Sequence, residues 1–495
     1  MRKVIEPQMK LGQVDIASIR FDPRSRDEIP QLLMGLQSIW CHRPTREAVF
    51  QELEDAIGQQ VDLHNGRPGM ALWKILVLGT LRLSCNWDYD KLHEIANNHL
   101  TLRQLLGHSS FEQDNRYALQ TLKDNISLFT PELLNRINQI VTTRLHRMIG
   151  GKVEKGLNAS CDSFVVETNV HFPTDTGLLW DALRRMIRLT MDLCDRMEKS
   201  EWRQGTHHLR KVKKALRTLQ QLKRSTSQNP KVKARKGQEI RCAYQECLDL
   251  TRSLLARVEV TLEPIEAPDA ALLPQIKTIE GFAAHAKRQI EQIHRRVMDG
   301  ETIPHHEKVF SIFAPHTEWI SKGKAGVPVE LGLKVCIVKD QFGCILHHRV
   351  MQHETDDQVA VPVIQETKEW FPNLKSCSFD KGFYSSKNQE RLSELLDEVI
   401  LPRKGKLSEA ALAIENSPEF IHLRRKHSAV ESSINALENH GLDCCPDRGI
   451  IGFKRYVGLA VLARNIQLIG ALLQKRRLQE IKRHEKVRQR FQQAA

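Results

Sequence analysis

No stretch of eighteen apolar residues occurs in the 495-residue chain, so no segment reads as a membrane-spanning helix. The opening MRKVIEPQMKLG lacks the apolar core of a signal peptide, which predicts a soluble protein that stays in the cytoplasm. Eleven cysteines are scattered without a single CxxC pair. That fits free thiols in a reducing compartment and argues against a disulfide scaffold. The densest group, His440, Cys444 and Cys445 with His422 and His427 upstream, matches no common zinc module, because adjacent cysteines seldom both ligate one ion. Acids are missing altogether between residues 202 and 238, where twelve Lys or Arg stand unopposed.

What is present is positive charge. Lys plus Arg number 74 against 60 Asp plus Glu, a net charge of +14. Such a surplus favours a polyanionic partner, and without a membrane segment that partner is nucleic acid. The length predicts roughly two to four domains. Residues 1–150 read as a helical N-terminal DNA-binding domain. PGMALWKILVLGTLRL (68–83) is apolar almost all round, so a buried helix is expected there. Asp88 can cap DYDKLHEIANNH, and Gly107 stops TLRQLLG. Short helices joined by tight turns suit a helix-turn-helix-like unit, with Trp40, Trp73 and Trp87 as core residues.

Residues 176–303 are different material, a basic helical insertion. LLWDALRRMIRLTMDLCDRMEK and RCAYQECLDLTRSLLARVEVTL place apolar residues at helical spacing. The acid-free block, including Lys211, Lys213 and Lys214, predicts contact with DNA phosphates. From 304 onward β signals return. KVFSIF (308–313) is a strand candidate. VELGLKVCIVKD and GCILHHRVMQ predict a hairpin around Gln341 and Phe342. A helix over 357–371 ends near Pro372, LKSCSFD leads to Asp380 and a further helix, and VILP (399–402) is a short buried strand. PEFIHLRRKHSAVESSINALENHG (418–441) predicts one long helix stopped by Gly441. Residues 476–495 form a basic tail.

The order of these elements points to an α/β sheet with helices on both faces. The first strand lies in CDSFVVETNVHFPTD (161–175) and carries Asp162; its Pro-Thr-Asp ending can cap the helix that follows. If the strands of Asp162 and Asp380 are parallel neighbours, roughly 4.8 Å apart, their carboxylates meet at one sheet edge. A third acid comes from the helix after residue 418. At 100° per residue Arg424, His427, Glu431 and Glu438 share one stripe beside the apolar Leu423, Val430, Ile434 and Leu437. Geometry alone leaves Glu431 and Glu438 as rivals. Oxygen-only sites of this kind suit Mg²⁺ or Mn²⁺, and a pair of such ions can drive phosphodiester chemistry. Glu167, Asp175, Asp356 and Asp357 are spare carboxylates with supporting or capping roles. His207 with His208, His305 with His306, and His347 with His348 show no ligand spacing.

These segments together resemble the DDE transposases of bacterial insertion sequences. CDSFVVETNVHFPTD looks like that family's first-aspartate segment, HTEWISKGKAGVPVELGLKV like the lead into its second strand, and SFDKGFYSS like its second-aspartate turn. KHSAVESSINALENHGLDCCPDRG with VGLAVLARNIQLIG resembles its glutamate helix and the helix downstream, and GRPGMALWKILVLGTL its amino-terminal domain. The resemblance implies an RNase H-like catalytic domain (155–175 and 304–475) with a mixed five-stranded sheet flanked by helices, an all-α N-terminal domain, and the insertion between the first and second strands. It implies Asp162, Asp380 and Glu431 as catalytic, metal-binding residues holding two Mg²⁺ or Mn²⁺ ions, and it selects Glu431 over Glu438. It also implies double-stranded DNA partners (element ends and target), a homodimer on paired ends, and cleavage followed by strand transfer. A nuclease without strand transfer and a noncatalytic transposase-derived DNA-binding protein are the alternative expectations. Many relatives carry Tyr and Arg seven and four residues before the glutamate and Lys seven after it, where this chain has Arg424, His427 and Glu438. That bears on how this helix meets DNA near the cut. Lys322, Lys324, Lys381, Arg403, Lys404, Lys406, Arg424 and His427 are the expected phosphate contacts around the sheet edge.

Overall fold

The computed structural model describes residues 3–5, 8–58, 69–112, 114–224, 229–263, 271–321, 328–405 and 408–494. The chain forms two compact units, one made of Met1–Asn169 with Ile320–Ala495 and the other of Val170–Trp319.

The larger unit is a mixed sheet among helices. Its strands are β1 (Leu157–Thr168), β2 (Glu318–Ser321), β3 (Val329–Asp340), β4 (Ile345–Val350), β5 (Leu374–Phe379), β6 (Glu398–Ile400) and β7 (Cys444–Cys445). The main path runs β2-β3-β1-β5-β6, with β4 also on β3 and β7 on β1. β1 is antiparallel to β3 and parallel to both β5 and β7, while β5 and β6 run parallel. The predicted hairpin is there: β3 and β4 pair antiparallel, and Gly343 supplies the left-handed turn residue at φ 90°. Among the described residues seven strands replace the expected five, because two short ones lack enough residues to show any periodicity of their own. KVFSIF is not a strand. The Ser311 hydroxyl accepts the N–H groups of Phe313 and Ala314 at 3.3 and 3.1 Å, and this local turn displaces a ladder.

Helix boundaries follow local chemistry. Asp88 accepts the N–H of Lys91 at 2.7 Å to start Tyr89–Asn98. Thr130 accepts that of Leu133 at 3.2 Å ahead of Pro131–Ile149, with Pro131 opening the helix and Gly150 closing it. Leu72–Ser84 is buried on every side, as its uniform apolarity predicts. The expected single helix over 418–441 is two, Pro418–His427 and Ala429–Leu437. At the break the Ser428 hydroxyl donates to the carbonyl of Arg425 (2.7 Å), and Gly441 at φ 105° ends the run.

The helices before residue 150 do not form a core of their own. Leu33, Leu36, Leu76, Leu81 and Ile137 belong to the same buried cluster as Val166, Val335, Ile337 and the helix Gly449–Ala494. That last helix is the axis of the unit. It is long and apolar enough to cross a membrane by length and composition, yet Val457, Leu459, Val461, Leu462 and Ile466 are all buried in this core. Asn465 serves β4 from the same helix. Its amide accepts the N–H of Ile345 (3.0 Å) and donates to that residue's carbonyl (2.9 Å) and to Asn138 (2.7 Å). The backbone groups that Ile345 presents at the β4 edge are thereby satisfied away from solvent.

One buried ion pair ties the N-terminal helices to the segment after β7. Arg82, 2% exposed, donates to Asp447 at 2.8 Å and lies 4.0 Å over the ring of Tyr89. Asp447→Ala should cost about 3–5 kcal/mol by leaving a guanidinium buried and unpaired. Urea unfolding measures this, and an unchanged midpoint would refute the pair's importance. The double variant Arg82→Met with Asp447→Leu should recover most of the loss.

The smaller unit is helical. Asp175–Arg196, Gly205–Lys223, Pro230–Leu262 and Leu273–Val297 enclose a core that includes Leu183, Met186, Val212, Leu248, Val258, Ile279 and Ile293. Thr174 caps the first of these helices by accepting the N–H of Gly177 (3.1 Å), and Asp175 in its first turn pairs with Arg296 at 2.6 Å.

Candidate functional site

Cys161 on β1 is paired with Phe379 on the parallel β5, so Asp162 and Asp380 follow at the same level of two adjacent strands. Asp380 is the first residue past β5, where the chain leaves the sheet. Both acids thus come from rigid backbone, with strands roughly 4.8 Å apart. Glu431 stands in the first turn of Ala429–Leu437, a helix that approaches the same sheet: Lys339 of β3 donates to the carbonyl of Ala429 at 2.7 Å. Val430, Ile434 and Leu437 are the buried face of that helix, and Glu431 is exposed. Glu438 lies about 10 Å further along, at the 1.5 Å rise of each residue.

Charge links the group. Burial pushes the Asp162 carboxyl up to about 6; the charges of Asp380, Asp356 and Glu431 push the same way, and the N–H of Ser163, donated at 2.7 Å, opposes them. Among the described residues no Lys or Arg forms an ion pair with Asp162, Asp380 or Glu431. An all-oxygen, uncompensated anionic set fits a hard divalent cation. Among the described residues the donor atoms of the three do not form a group within 4.8 Å of one another.

A sign follows for pH. Asp162 holds its proton in the folded state up to about pH 6, against an ordinary value of 3.8. Between those values the folded state binds more proton than the unfolded one, so stability falls as pH rises through the window. In metal-free buffer Asp162→Asn should therefore be more stable than the parent at pH 7.5, by up to about 3 kcal/mol, and no more stable near pH 4. Equal gains at both pH values, measured by urea unfolding, would refute this origin.

His427 does not face outward. Its Nδ1 is 3.0 Å from the hydroxyl of Ser378, which in turn donates to Ser160 at 2.9 Å. Burial lowers its pKa, while the charges of Asp380 and Glu431 act to raise it. It buttresses the helix junction beside the carboxylates and is not placed as an exposed phosphate contact. Arg424, Lys381, Arg403 and Lys404 are exposed, although the Lys404 ammonium donates to the carbonyl of Gly382 at 2.8 Å and the Arg403 N–H to Glu415 at 2.8 Å. Lys211, Lys213 and Lys214 are exposed in the smaller unit. Lys322, Lys324 and Lys406 lie outside the described residues.

Asp356 is more closely engaged than its sequence setting indicates. It accepts the hydroxyl of Ser163 at 2.7 Å and the Lys334 ammonium at 2.8 Å, and Gly382 leaves room for its carboxylate beside the Asp380 turn. The Thr355–Gln358 capping box, which starts Asp356–Trp370, is the local signal that fixes its position.

A second polar cluster went unread in the sequence. The donor atoms of buried His146, Asp340 and Cys344 all lie within 4.8 Å, a group that could hold a metal ion. Its imidazole, thiol and carboxylate suit a softer ion than Mg²⁺. The Asp340 carboxylate is already engaged by His146 Nε2 (2.7 Å) and by the N–H groups of Phe342 (2.9 Å) and Cys344 (2.8 Å), so the hairpin is stable on protein donors alone. The participants are 194 residues apart in the case of His146 and Asp340, a pairing no motif encodes.

No protein-family model matches the chain, and no curated protein or solved structure matches it.

Proposed function

We propose that this protein is a DNA transposase of the DDE type, acting on the ends of an insertion sequence through Asp162, Asp380 and Glu431. The observation that carries the reading is the parallel register of β1 and β5, which puts Asp162 and Asp380 side by side, with the charge of Glu431 acting on Asp162. The strand order β4-β3-β1-β5-β6, with β3 antiparallel to both β1 and β4, supports an RNase H-like assignment for the larger unit.

Asp162, Asp380 and Glu431 would hold two Mg²⁺ or Mn²⁺ ions. Such ions, when bound, activate a water or a 3′-hydroxyl and neutralise charge on the leaving oxygen of a phosphodiester. Ser163 fixes the Asp162 carboxylate through its N–H, and Asp356 with Lys334 holds Ser163 in turn. Lys381, Arg403, Lys404 and Arg424 are cations on the loops and helix next to the acids, suited to phosphates beside the cut. A homodimer on paired element ends in the cytoplasm is part of the same reading.

The test is incubation of the purified protein with DNA carrying the terminal repeats that flank its gene, with Mg²⁺ or Mn²⁺. Metal-dependent 3′-hydroxyl ends and joined products are expected. Cleavage without joining would make it a nuclease, and binding without cleavage a noncatalytic DNA-binding protein.

A further inference from the structure

The smaller unit distributes its charge unevenly. Between residues 170 and 319 there are 26 Lys or Arg and 19 Asp or Glu, but twelve of the cations and none of the acids fall between 203 and 236. The helix Gly205–Lys223 shows how that charge is presented. Leu209, Val212, Leu216 and Leu219 are its buried stripe. At 100° per residue, Arg210, Lys213, Lys214, Arg217 and Arg224 fall on the solvent side, beside that stripe, within an arc of about 100°. All five are exposed.

A solvated helix face is the ordinary explanation of such a stripe, and ion pairing distinguishes the two cases. Elsewhere in this unit several cations have partners: Arg184 with Asp181, Arg252 with Asp249, Lys287 with Glu259, Arg295 with Glu301 and Glu307, Arg296 with Asp175. None of the five stripe residues forms an ion pair among the described residues; Lys213 has only the ring of Trp180, at 5.9 Å. The five stand together on one face, in a stretch (203–236) whose sequence holds no acid to pair with them.

We propose that the stripe Arg210, Lys213, Lys214, Arg217 and Arg224 is a sequence-independent binding surface for the phosphate backbone of duplex DNA. The helix from Arg210 to Arg224 spans about 21 Å, equivalent to about six base pairs at 3.4 Å each. A membrane surface is the poorer match, because an interfacial helix inserts an apolar face and here that face is spent on the unit's core. Among the described residues between 203 and 240 the one large exposed apolar residue is Val232, at 37%.

The test uses the full chain and a random-sequence 30-base-pair duplex, with affinity followed by fluorescence anisotropy from 50 to 200 mM KCl. Changing Arg210, Lys213, Lys214 and Arg217 together to Gln should reduce the slope of log K against log [KCl] by about 3 to 4, from about 0.9 per phosphate contact, and weaken binding at least tenfold at 100 mM. A control variant, Arg184→Gln, Arg252→Gln, Lys287→Gln and Arg296→Gln, removes the same charge from paired positions and should leave the slope within one of the parent. Circular dichroism establishes that both variants are folded. An unchanged slope in the stripe variant, or an equal fall in the control, overturns the proposal. So does loss of binding to vesicles of 30% anionic lipid with duplex binding intact. The inference stands apart from the carboxylate site: Asp162→Asn should keep the parent slope, and a protein that binds this way yet never cleaves would overturn the transposase reading alone.

Discussion

Asp162→Asn, Asp380→Asn and Glu431→Gln should each lower metal-dependent DNA cleavage by about 10³-fold or more. Each removes one anionic oxygen from a set that no Lys or Arg neutralises among the described residues, so the loss falls on ion binding itself. A deficit of about 4 kcal/mol in the transition state corresponds to that factor. Glu438→Gln is the informative comparison. It lies on nearly the same helical face as Glu431 but about two turns away, and it should keep activity within a few-fold of the parent. A second readout needs no DNA. Mg²⁺ at a hundred times its Kd should stabilise the parent by about 2.7 kcal/mol, visible as a higher melting temperature, and should do little for Asp162→Asn. Full activity in any of the three variants would remove that residue from the site. Loss of activity with Glu438→Gln but not Glu431→Gln would reassign the third acid.

The largest stability loss is expected from Gly470→Val, followed by Gly470→Ala and Gly35→Ala. A Cβ at Gly470 would run into the backbone carbonyl of Gln31, and one at Gly35 into the carbonyl of Ile466. The helices Glu28–Cys41 and Gly449–Ala494 therefore cross with their backbones in contact, at a site where no side chain can swing away. Overpacking against a side chain costs typically 1–3 kcal/mol; against backbone on both sides it should reach about 3 kcal/mol or more for alanine. Because Gly449–Ala494 packs against the N-terminal helices and β4 alike, the whole larger unit should lose cooperativity. Gly281→Ala, in an open position of Leu273–Val297, should instead be neutral or stabilising by up to about 1 kcal/mol. Thermal unfolding of the purified variants measures both, and a parent-like midpoint for Gly470→Val would refute the close crossing.

Much of the local structure was legible in the residues. Asp88, Thr130 and Thr174 start helices by accepting backbone N–H groups three residues on, and this requires nothing distant. The hairpin of β3 and β4 follows from two β-rich runs around a short turn with Gly343. The apolar face of Ala429–Leu437 and the all-round burial of Leu72–Ser84 follow from periodicity. Where a hydroxyl competed with the backbone, periodicity misled: Ser311 turned an expected strand into a coil, and Ser428 split an expected helix in two.

The remaining facts depend on which distant segments meet. That β1 and β5 are parallel neighbours, with Cys161 opposite Phe379, is a relation across more than two hundred residues, most of them in a separate helical unit. The burial of His427 against Ser378, the hold of Asp356 on Ser163, and the His146–Asp340 contact are of the same kind. The chain on its own determined which residues could serve as strand acids, helix caps and a positive stripe, because those properties extend over a few residues. Only the tertiary structure decided that Asp162 and Asp380 stand side by side and that Asp356 lies close enough to act on Asp162. Strand register and burial arise when the core closes, and no local pattern records them.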